Sequence, residues 1–304
     1  MNVLLTGSNG FLGSHILSEL VKSHKVFITL RKESNTKRIK NLLEELDITV
    51  FQITECDELP LEDFFKTNQI EMIVHCATDY ARKGMYLYRT YESNVVFPMK
   101  LIEIGLRFNL KYFINTDSYF NKSFMSYNAL PAYSKTKKIF LKNLKSFSRN
   151  IKIPEFKIIN MRLEHVYGEN DNDDKFTVFL TKKMLDNESI NLTHGHQKRD
   201  FTYVGDVVDT YIKVIANIDK IHGNYLELEI GTMKSVYLRE FIETLKKEIK
   251  SSSHLNYGAV DYRDDEIMNS FADGSLKSLE QSLGVAFNLR GIDDGIKEMV
   301  RNNG

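Results

Sequence analysis

Two sets of residues in this chain have the types and the spacing to do chemistry. The first is Tyr133 and Lys137, in Tyr133-Ser134-Lys135-Thr136-Lys137 just after Pro131. Positions i and i+4 share one helix face, so a phenol and an ammonium are held side by side. Such a pair suits proton transfer to a carbonyl oxygen. The ammonium favours the phenolate and draws the tyrosine pKa toward neutrality, and the lysine is also able to hold a ribose hydroxyl. In a chain with 15 tyrosines the spacing also arises by chance, so its weight comes from its company. Upstream, Lys111–Asp117 (KYFINTD) reads as a buried strand ending in Thr116, whose hydroxyl would lie over a cofactor site within reach of Tyr133. The second set is Gly7, Gly10 and Gly13, spaced G-x-x-G-x-x-G directly after the apolar run Val3–Leu5. Strand, tight turn and helix start are the parts that seat a pyrophosphate on a helix N-terminus. Gly7 lets the chain turn, Gly10 lets the backbone approach the phosphates, and Gly13 lets the helix pack on the strand.

The nucleotide choice is read from the second strand, KVFITL at 25–30, which ends in Arg31 and Lys32. In an NAD-binding fold, a carboxylate about 20 positions after the glycines accepts hydrogen bonds from the adenine ribose. Here that stretch holds Leu30, Arg31 and Lys32, with no carboxylate before Glu33 and with Arg38 close behind. Guanidinium pairs well with phosphate, so the expectation is NADP(H) in preference to NAD(H). The competing reading makes these cations the solvated opening of a surface helix.

Positioning these residues takes an alternating chain. Val3–Leu5, Val26–Leu30, Thr49–Ile53, Met72–Cys76, Tyr112–Asn115 and Phe156–Asn160 are short apolar runs. Helical periods separate them at Phe11–Lys22, Lys37–Leu46, Val95–Phe108 and Tyr133–Phe147. Strands joined by helical crossovers imply an α/β fold with a doubly wound parallel sheet, its ligands at the carboxyl ends of the strands. The expected Rossmann domain covers 1–168, with part of 196–230 returning to it. The expected second lobe, smaller and discontinuous, covers 169–304 and binds substrate. The 304 residues suffice to bury a substantial core, and 41 basic residues cancel 41 acidic ones, so no field favours nucleic acid or an anionic membrane. Two cysteines, Cys56 and Cys76, lack metal-type spacing and read as buried free thiols of a reducing compartment. His194 and His196 form an HGH pair with no third metal ligand in view, so a loop is expected there and no metal. With no long apolar run and no basic n-region, the expectation is a cytoplasmic protein.

The motifs together carry a family resemblance over nearly the whole chain. They are TGSNGFLGSH (Thr6–His15), VHCAT (Val74–Thr78), Asn94 in the following helix, FINTDS (Phe113–Ser118), YSKTK (Tyr133–Lys137), MRLEHVYG (Met161–Gly168), QKRDFTYVGDVV (Gln197–Val208) and YRDDEIMNSFAD (Tyr262–Asp273). In that order they resemble the extended short-chain dehydrogenase/reductase family of sugar-nucleotide enzymes, and within it the 4-ketoreductases of the CDP-abequose and CDP-paratose synthase type. The resemblance implies reduction of the C4 ketone of a nucleotide-linked 4-keto-6-deoxyhexose, in deoxysugar synthesis for surface polysaccharide. It implies that Tyr133 protonates the nascent alkoxide, that Lys137 holds the nicotinamide ribose and that Thr116 hydrogen-bonds the substrate carbonyl. Phe11 and Leu12 would join the glycines at the cofactor, Asp57 would face the adenine, and Cys76, Ala77, Thr78 and Asn94 would line the cofactor. Arg199 and Arg263 would grip the nucleotide diphosphate, with Asp117, Ser118, Glu164 and His165 facing the sugar. Asp200 would organise the arginine loop. A homodimer through the helices at 95–108 and 133–147 is also implied.

Departures from the family pattern narrow the reading. The family's dehydratases carry an Asp-Glu pair after the catalytic threonine, whereas this chain reads Thr116-Asp117-Ser118 and lacks the glutamate that abstracts the C5 proton. Glu164 and His165 replace the aromatic and asparagine common in the epimerases; Glu164 either binds sugar hydroxyls or pairs with Arg162. Two alternatives stay open: an NAD-dependent nucleotide-sugar 4-epimerase, and a non-catalytic nucleotide-sugar or NADP sensor.

Overall fold

The computed structural model of the protein describes residues 1–53, 58–81, 87–122 and 130–303. Cys56 and Asp57 lie outside the described residues.

The chain opens with β1 (Asn2–Thr6), α1 (Phe11–Leu20), β2 (Lys25–Arg31), α2 (Lys40–Glu45), β3 (Thr49–Ile53), α3 (Glu58–Asn68) and β4 (Met72–His75). Next come α4 (Leu87–Tyr91), α5 (Phe97–Arg107), β5 (Tyr112–Ser118), α6 (Pro131–Asn150) and β6 (Lys157–Leu163). Between α4 and α5, Glu92–Val96 form a π-helical turn. Pro98 explains it: proline has no N–H to give the carbonyl of Asn94 four residues back, and its ring crowds that carbonyl. The widened turn absorbs both defects. The sequence predicted an uninterrupted helix there.

The second half runs β7 (His165–Tyr167), α7 (Phe176–Leu185), β8 (Ile190–Leu192), β9 (Lys198–Arg199), β10 (Phe201–Tyr203), α8 (Val204–Ala216) and β11 (Tyr225–Ile230). It finishes with β12 (Val236–Tyr237), α9 (Leu238–Ile249), β13 (Leu255–Tyr257), α10 (Ser275–Leu283) and α11 (Ile292–Asn303).

One seven-stranded sheet carries the order β3-β2-β1-β4-β5-β6-β11. β1 lies parallel to β2 on one side, with Val3 opposite Val26, and to β4 on the other, with Val3 opposite Met72. The order reverses between β1 and β4, which is where an open sheet of this kind leaves a crevice for a ligand. The doubly wound parallel sheet expected from the alternation is therefore present, with β11 as a seventh strand the alternation did not reveal.

The chain divides into two compact units. The first takes its described residues from 1–123, 128–162 and 214–228, and the second from 163–213 and 229–304. In the first, Leu4, Phe27, Ile73 and Phe113 of the sheet pack with Leu61, Phe64 and Phe65 of α3, Leu101 and Ile102 of α5, and Phe140 and Leu144 of α6. Burying each of these side chains contributes roughly 1.5–3 kcal/mol. In the second, the Phe201 and Phe241 rings stack at 4.0 Å and Tyr167 meets Phe241 edge-on at 5.1 Å. Its short strands pair as β7 with β10, β8 with β13 and β9 with β12. Among the described residues, no helix is long and apolar enough to cross a membrane.

His75, at the end of β4, is buried against the rings of Phe97, Phe113 and Phe140, with Nδ1 2.8 Å from Thr6 Oγ1. Burial, with the nearby Lys137 charge, pulls its pKa from 6.5 down to about 3. Between those values the unfolded chain binds a proton that the folded chain does not, so this group's stability contribution is full above pH 6.5 and declines as pH falls. At pH 5 the loss relative to pH 8 comes to about 2 kcal/mol. Urea titrations at the two pH values should show it, and His75→Gln should shrink the difference by that amount.

Candidate active site

The site begins where β1 ends. Gly7 takes φ +70°, and a Cβ built on it would lie 2.6 Å from the backbone nitrogen of Ala77. A Cβ on Gly13 would lie 2.1 Å from the carbonyl oxygen of Gly7. Both contacts are backbone against backbone, so no side chain is able to yield. Gly10 N donates to Gly7 O at 3.0 Å, closing the turn, and Ser14 N donates to Gly10 O as α1 starts. Beyond chain neighbours and the helix's own backbone, Gly7 O is the one described atom within 4 Å of a Cβ built on Gly10. The loop thus presents a concave backbone face with room beside Gly10. Phe11, Leu12 and Gly13 supply the first N–H groups of α1, which have no earlier helical carbonyl to bond. This cradle fits a dinucleotide pyrophosphate.

Two cations stand on its rim. Arg31, at the end of β2, donates from Nη2 to Ser93 Oγ at 2.9 Å, and Arg38 Nη1 reaches Asn9 O at 3.5 Å. Asn9 in turn donates to Asn35 O, which ties the segment after β2 to the glycine loop. Lys32 is exposed.

The exit of β4 supplies Cys76, Ala77 and Thr78. Cys76 N donates to Thr6 O at 3.1 Å, and Ala77 N to Thr6 Oγ1 at 3.3 Å. Buried Asn94, in the π turn, is a scaffold for this segment. Its Oδ1 accepts from Asp79 N at 2.7 Å and from Thr78 Oγ1 at 3.3 Å; its Nδ2 donates to Asp79 O at 2.9 Å and Thr136 Oγ1 at 3.0 Å. One amide thus clamps the chain after β4 to α6, the helix that carries Tyr133 and Lys137.

Lys137 is buried and donates from Nζ to Thr116 O at 2.8 Å, while Thr116 Oγ1 lies 3.2 Å from Cys76 Sγ. Burial lowers the Lys137 pKa, opposed by the charge of Asp117. Tyr133 is also buried, its ring stacked on Tyr80 at 4.7 Å and edge-on to Phe120 at 6.3 Å. Burial first, then Tyr80, raises its pKa well above 10, against the lowering effect of a hydrogen bond with the Ser118 side chain. This corrects the expectation of a tyrosine drawn toward neutrality by its lysine: the ammonium is engaged at the Thr116 carbonyl, and Tyr133 is a phenol.

Strand parity settles Asp117. Alternate residues of β5 face opposite sides, so Thr116 and Asp117 diverge. Asp117 joins Asn115 on the side of β6, where Asn115 Nδ2 donates to Asn160 Oδ1 at 2.6 Å. Asp117 Oδ1 accepts from Ser118 N at 2.8 Å and from Asn121 Nδ2; Oδ2 accepts from Asn160 Nδ2 at 3.0 Å and faces Arg162 Nε at 3.5 Å. Arg162 continues to Glu227 at 2.7 Å, and Glu227 to Lys145 at 2.6 Å. Both oxygens of the carboxylate expected at the sugar are thus committed to the protein. Sequence reasoning missed this network, although two asparagines in otherwise apolar strands were its visible sign.

Within the second unit, Glu164 is buried and accepts from Ser270 Oγ at 2.6 Å, with His165 Nδ1 at 3.7 Å from its carboxylate. Arg199 pairs with Glu266 at 2.5 Å and donates to Lys198 O at 2.8 Å. Arg263 is exposed, in the turn that Glu266 N closes onto its carbonyl at 3.0 Å. Asp200, fully buried, accepts from Thr232 N and Oγ1, Met233 N and Ala272 N. It holds three backbone segments together beside Arg199.

A reversed-order parallel sheet, a backbone cradle at its switch point, and Tyr133 and Lys137 on one helix beside a strand threonine define a dinucleotide-dependent enzyme of the Tyr-x-x-x-Lys type. The chain belongs to the NAD dependent epimerase/dehydratase family, which it matches over residues 3–231. It is therefore an NAD(P)-dependent enzyme of the oxidoreductase or epimerase type. It is 37% identical to a CDP-abequose synthase of Salmonella muenchen, covering 98% of this chain and 96% of that one. Identity to the CDP-abequose synthase of Salmonella typhimurium is 32%, over 91% of each chain. Among solved structures, UDP-glucose 4-epimerase of Thermotoga maritima with UDP-glucose superposes with a TM-score of 0.82, at 21% identity, over 99% of this chain and 98% of that one.

The cradle has a direct test. Gly13→Ala should weaken dinucleotide binding, read with NADH and NADPH in a fluorescence titration, about tenfold or more, because the new methyl meets the Gly7 carbonyl and drives the helix start off the loop.

Proposed function

We propose that this enzyme of nucleotide-sugar modification reduces the C4 ketone of a nucleotide diphosphate 4-keto-6-deoxyhexose, with NADPH, in deoxysugar synthesis for surface polysaccharide. The observation that carries the reading is Tyr133 as a buried phenol, an acid held ready, with the neighbouring carboxylate of Asp117 bound away in the sheet. When bound in the glycine cradle, NADPH supplies hydride chemistry. The chain's own residues bind, orient and protonate.

Tyr133 gives its proton to the alkoxide oxygen at C4, which is far more basic than a phenolate even when the phenol's pKa is raised. The Thr116 hydroxyl donates to the same oxygen, so the two stabilise the developing charge. An ammonium has three donors; Lys137 gives one to Thr116 O and turns the others to the nicotinamide ribose. Arg31 and Arg38 receive the 2′-phosphate. Arg199, preset by Glu266, and Arg263 hold the nucleotide diphosphate, with Glu164 and His165 toward the sugar. The same reading carries a cytoplasmic homodimer built on α5 and α6.

NADPH absorbance should fall in proportion to one member of a panel of CDP-, dTDP-, GDP- and UDP-linked 4-keto-6-deoxyhexoses. No loss across the panel, with NAD retained by the purified protein, would replace this reading with the 4-epimerase. Tyr133→Phe should still bind NADPH and lose about 1,000-fold in kcat. Since the phenol titrates well above 10, reductive kcat in the native enzyme should stay flat from pH 6 to 9. Arg31→Ala should raise the KM for NADPH about tenfold and leave that for NADH little changed.

A further inference from the structure

We propose that Tyr80 is a positioning residue for the proton donor: its ring lies on the face of the Tyr133 ring, holding the phenol in one orientation and closing that face to water. The inference rests on the reading of Tyr133 as the acid of the reaction.

The two rings stack with centroids 4.7 Å apart and planes 26° from parallel. Phe120 meets the Tyr133 ring edge-on at 6.3 Å, so a second ring bounds it. A phenol ring turns about a broad torsion that has no sharp wells of its own. A flat neighbour at stacking distance narrows that torsion and takes water from the ring face at the same time.

Both backbones of the stack are set by one amide. On the residue before Tyr80, Asn94 accepts from Asp79 N at 2.7 Å and donates to Asp79 O at 2.9 Å. The same Asn94 donates to Thr136 Oγ1 at 3.0 Å, and that hydroxyl lies 3.0 Å from the carbonyl of Tyr133. On the other side of Tyr80, Ala81 N donates to Asp79 Oδ1 at 2.8 Å, and Ala81 takes φ +55°. A residue with a Cβ is strained there, and such strain persists only where the surroundings over-determine the chain. Asp79 is thus fixed at its N–H, its carbonyl and its carboxylate, and the strained turn after it keeps Tyr80 against α6. With the ring fixed, the hydroxyl meets the developing alkoxide without turning first, as preorganised donors do.

The cover is tested without turnover. In protein labelled with carbon-13 at tyrosine Cζ, the Tyr133 signal is the one of 15 that Tyr133→Phe removes. Burial first, then Tyr80, raises the Tyr133 pKa well above 10; Asp117 and Tyr119, which also act on it, and Lys137 on its own helix are common to every variant compared. At about pH 11 the signal should keep its phenol position in the native protein and in Tyr80→Phe, and move to the phenolate position in Tyr80→Ala. A signal that stays in Tyr80→Ala, or moves equally in Tyr80→Phe, overturns the proposal. With whichever substrate the native enzyme reduces, Tyr80→Leu, which fills space without a flat ring, should lower kcat about fivefold at a KM within about twofold, and Tyr80→Phe should restore kcat. Equal kcat in the leucine and phenylalanine variants would mean packing alone and would also overturn it. Should the native enzyme reduce none of the sugars, the functional reading fails while the carbon-13 signal still decides whether Tyr80 closes Tyr133 to water.

Discussion

Everything in the first unit depends on one close approach of main chain to main chain. The turn after β1 sits so near the exit of β4 that a methyl on Gly7 would overlap the Ala77 backbone, and α1 sits so near the turn that a methyl on Gly13 would overlap Gly7. This proximity brings the ends of β1 and β4 into one crevice where the sheet order reverses. It also places Thr6 where it bonds both His75 and Ala77. The nucleotide cradle and the chain leading toward the catalytic helix are thereby built on the same few atoms.

From that crevice, order is passed on by buried polar groups. Asn94 is the relay: its amide holds the chain after β4 with one edge and Thr136 of α6 with the other. Lys137 then reaches back to β5 at Thr116. On the face of β5 that α6 covers, Asp117, Asn160, Arg162 and Glu227 tie that strand to β6 and β11. Such networks are costly when one member is missing and rigid when all are present. The second unit uses the same device around Asp200, whose four donors come from the segments at 232–233 and 272.

Much of this was legible in the sequence because the signals were local. Apolar runs of three to five residues located β1 to β6, and the glycine spacing located the cradle. The family resemblance, and no local signal, implied Asp200 as an organiser of the loop that holds Arg199. What escaped notice was non-local. β11 belongs to the first unit's sheet but follows a long excursion through the second, so alternation along the chain did not announce it. The partner of Arg199 is Glu266, 67 positions away, while the adjacent Asp200 turns to the backbone. The i,i+4 spacing of Tyr133 and Lys137 assigned a shared helix face. It did not reveal that the amine would be spent on a strand carbonyl and the phenol sealed beneath Tyr80, so the direction of the tyrosine's pKa was misjudged.

The alternation of β5 divides neighbouring residues between two histories. Thr116 and Ser118 share one face of the strand, and the Ser118 side chain hydrogen-bonds Tyr133, so a change of side chain there alters what the pocket does and leaves the joint to β6 alone. Asn115 and Asp117, one position off, belong to the joint between β5 and β6, where the same change removes a rivet. Three consecutive positions, 116 to 118, therefore evolve under different rules: the outer two are free to explore chemistry, and the middle one is held by the architecture. A route from this chain to elimination chemistry that recruited Asp117 as an acid would have to dismantle the joint before gaining the catalyst.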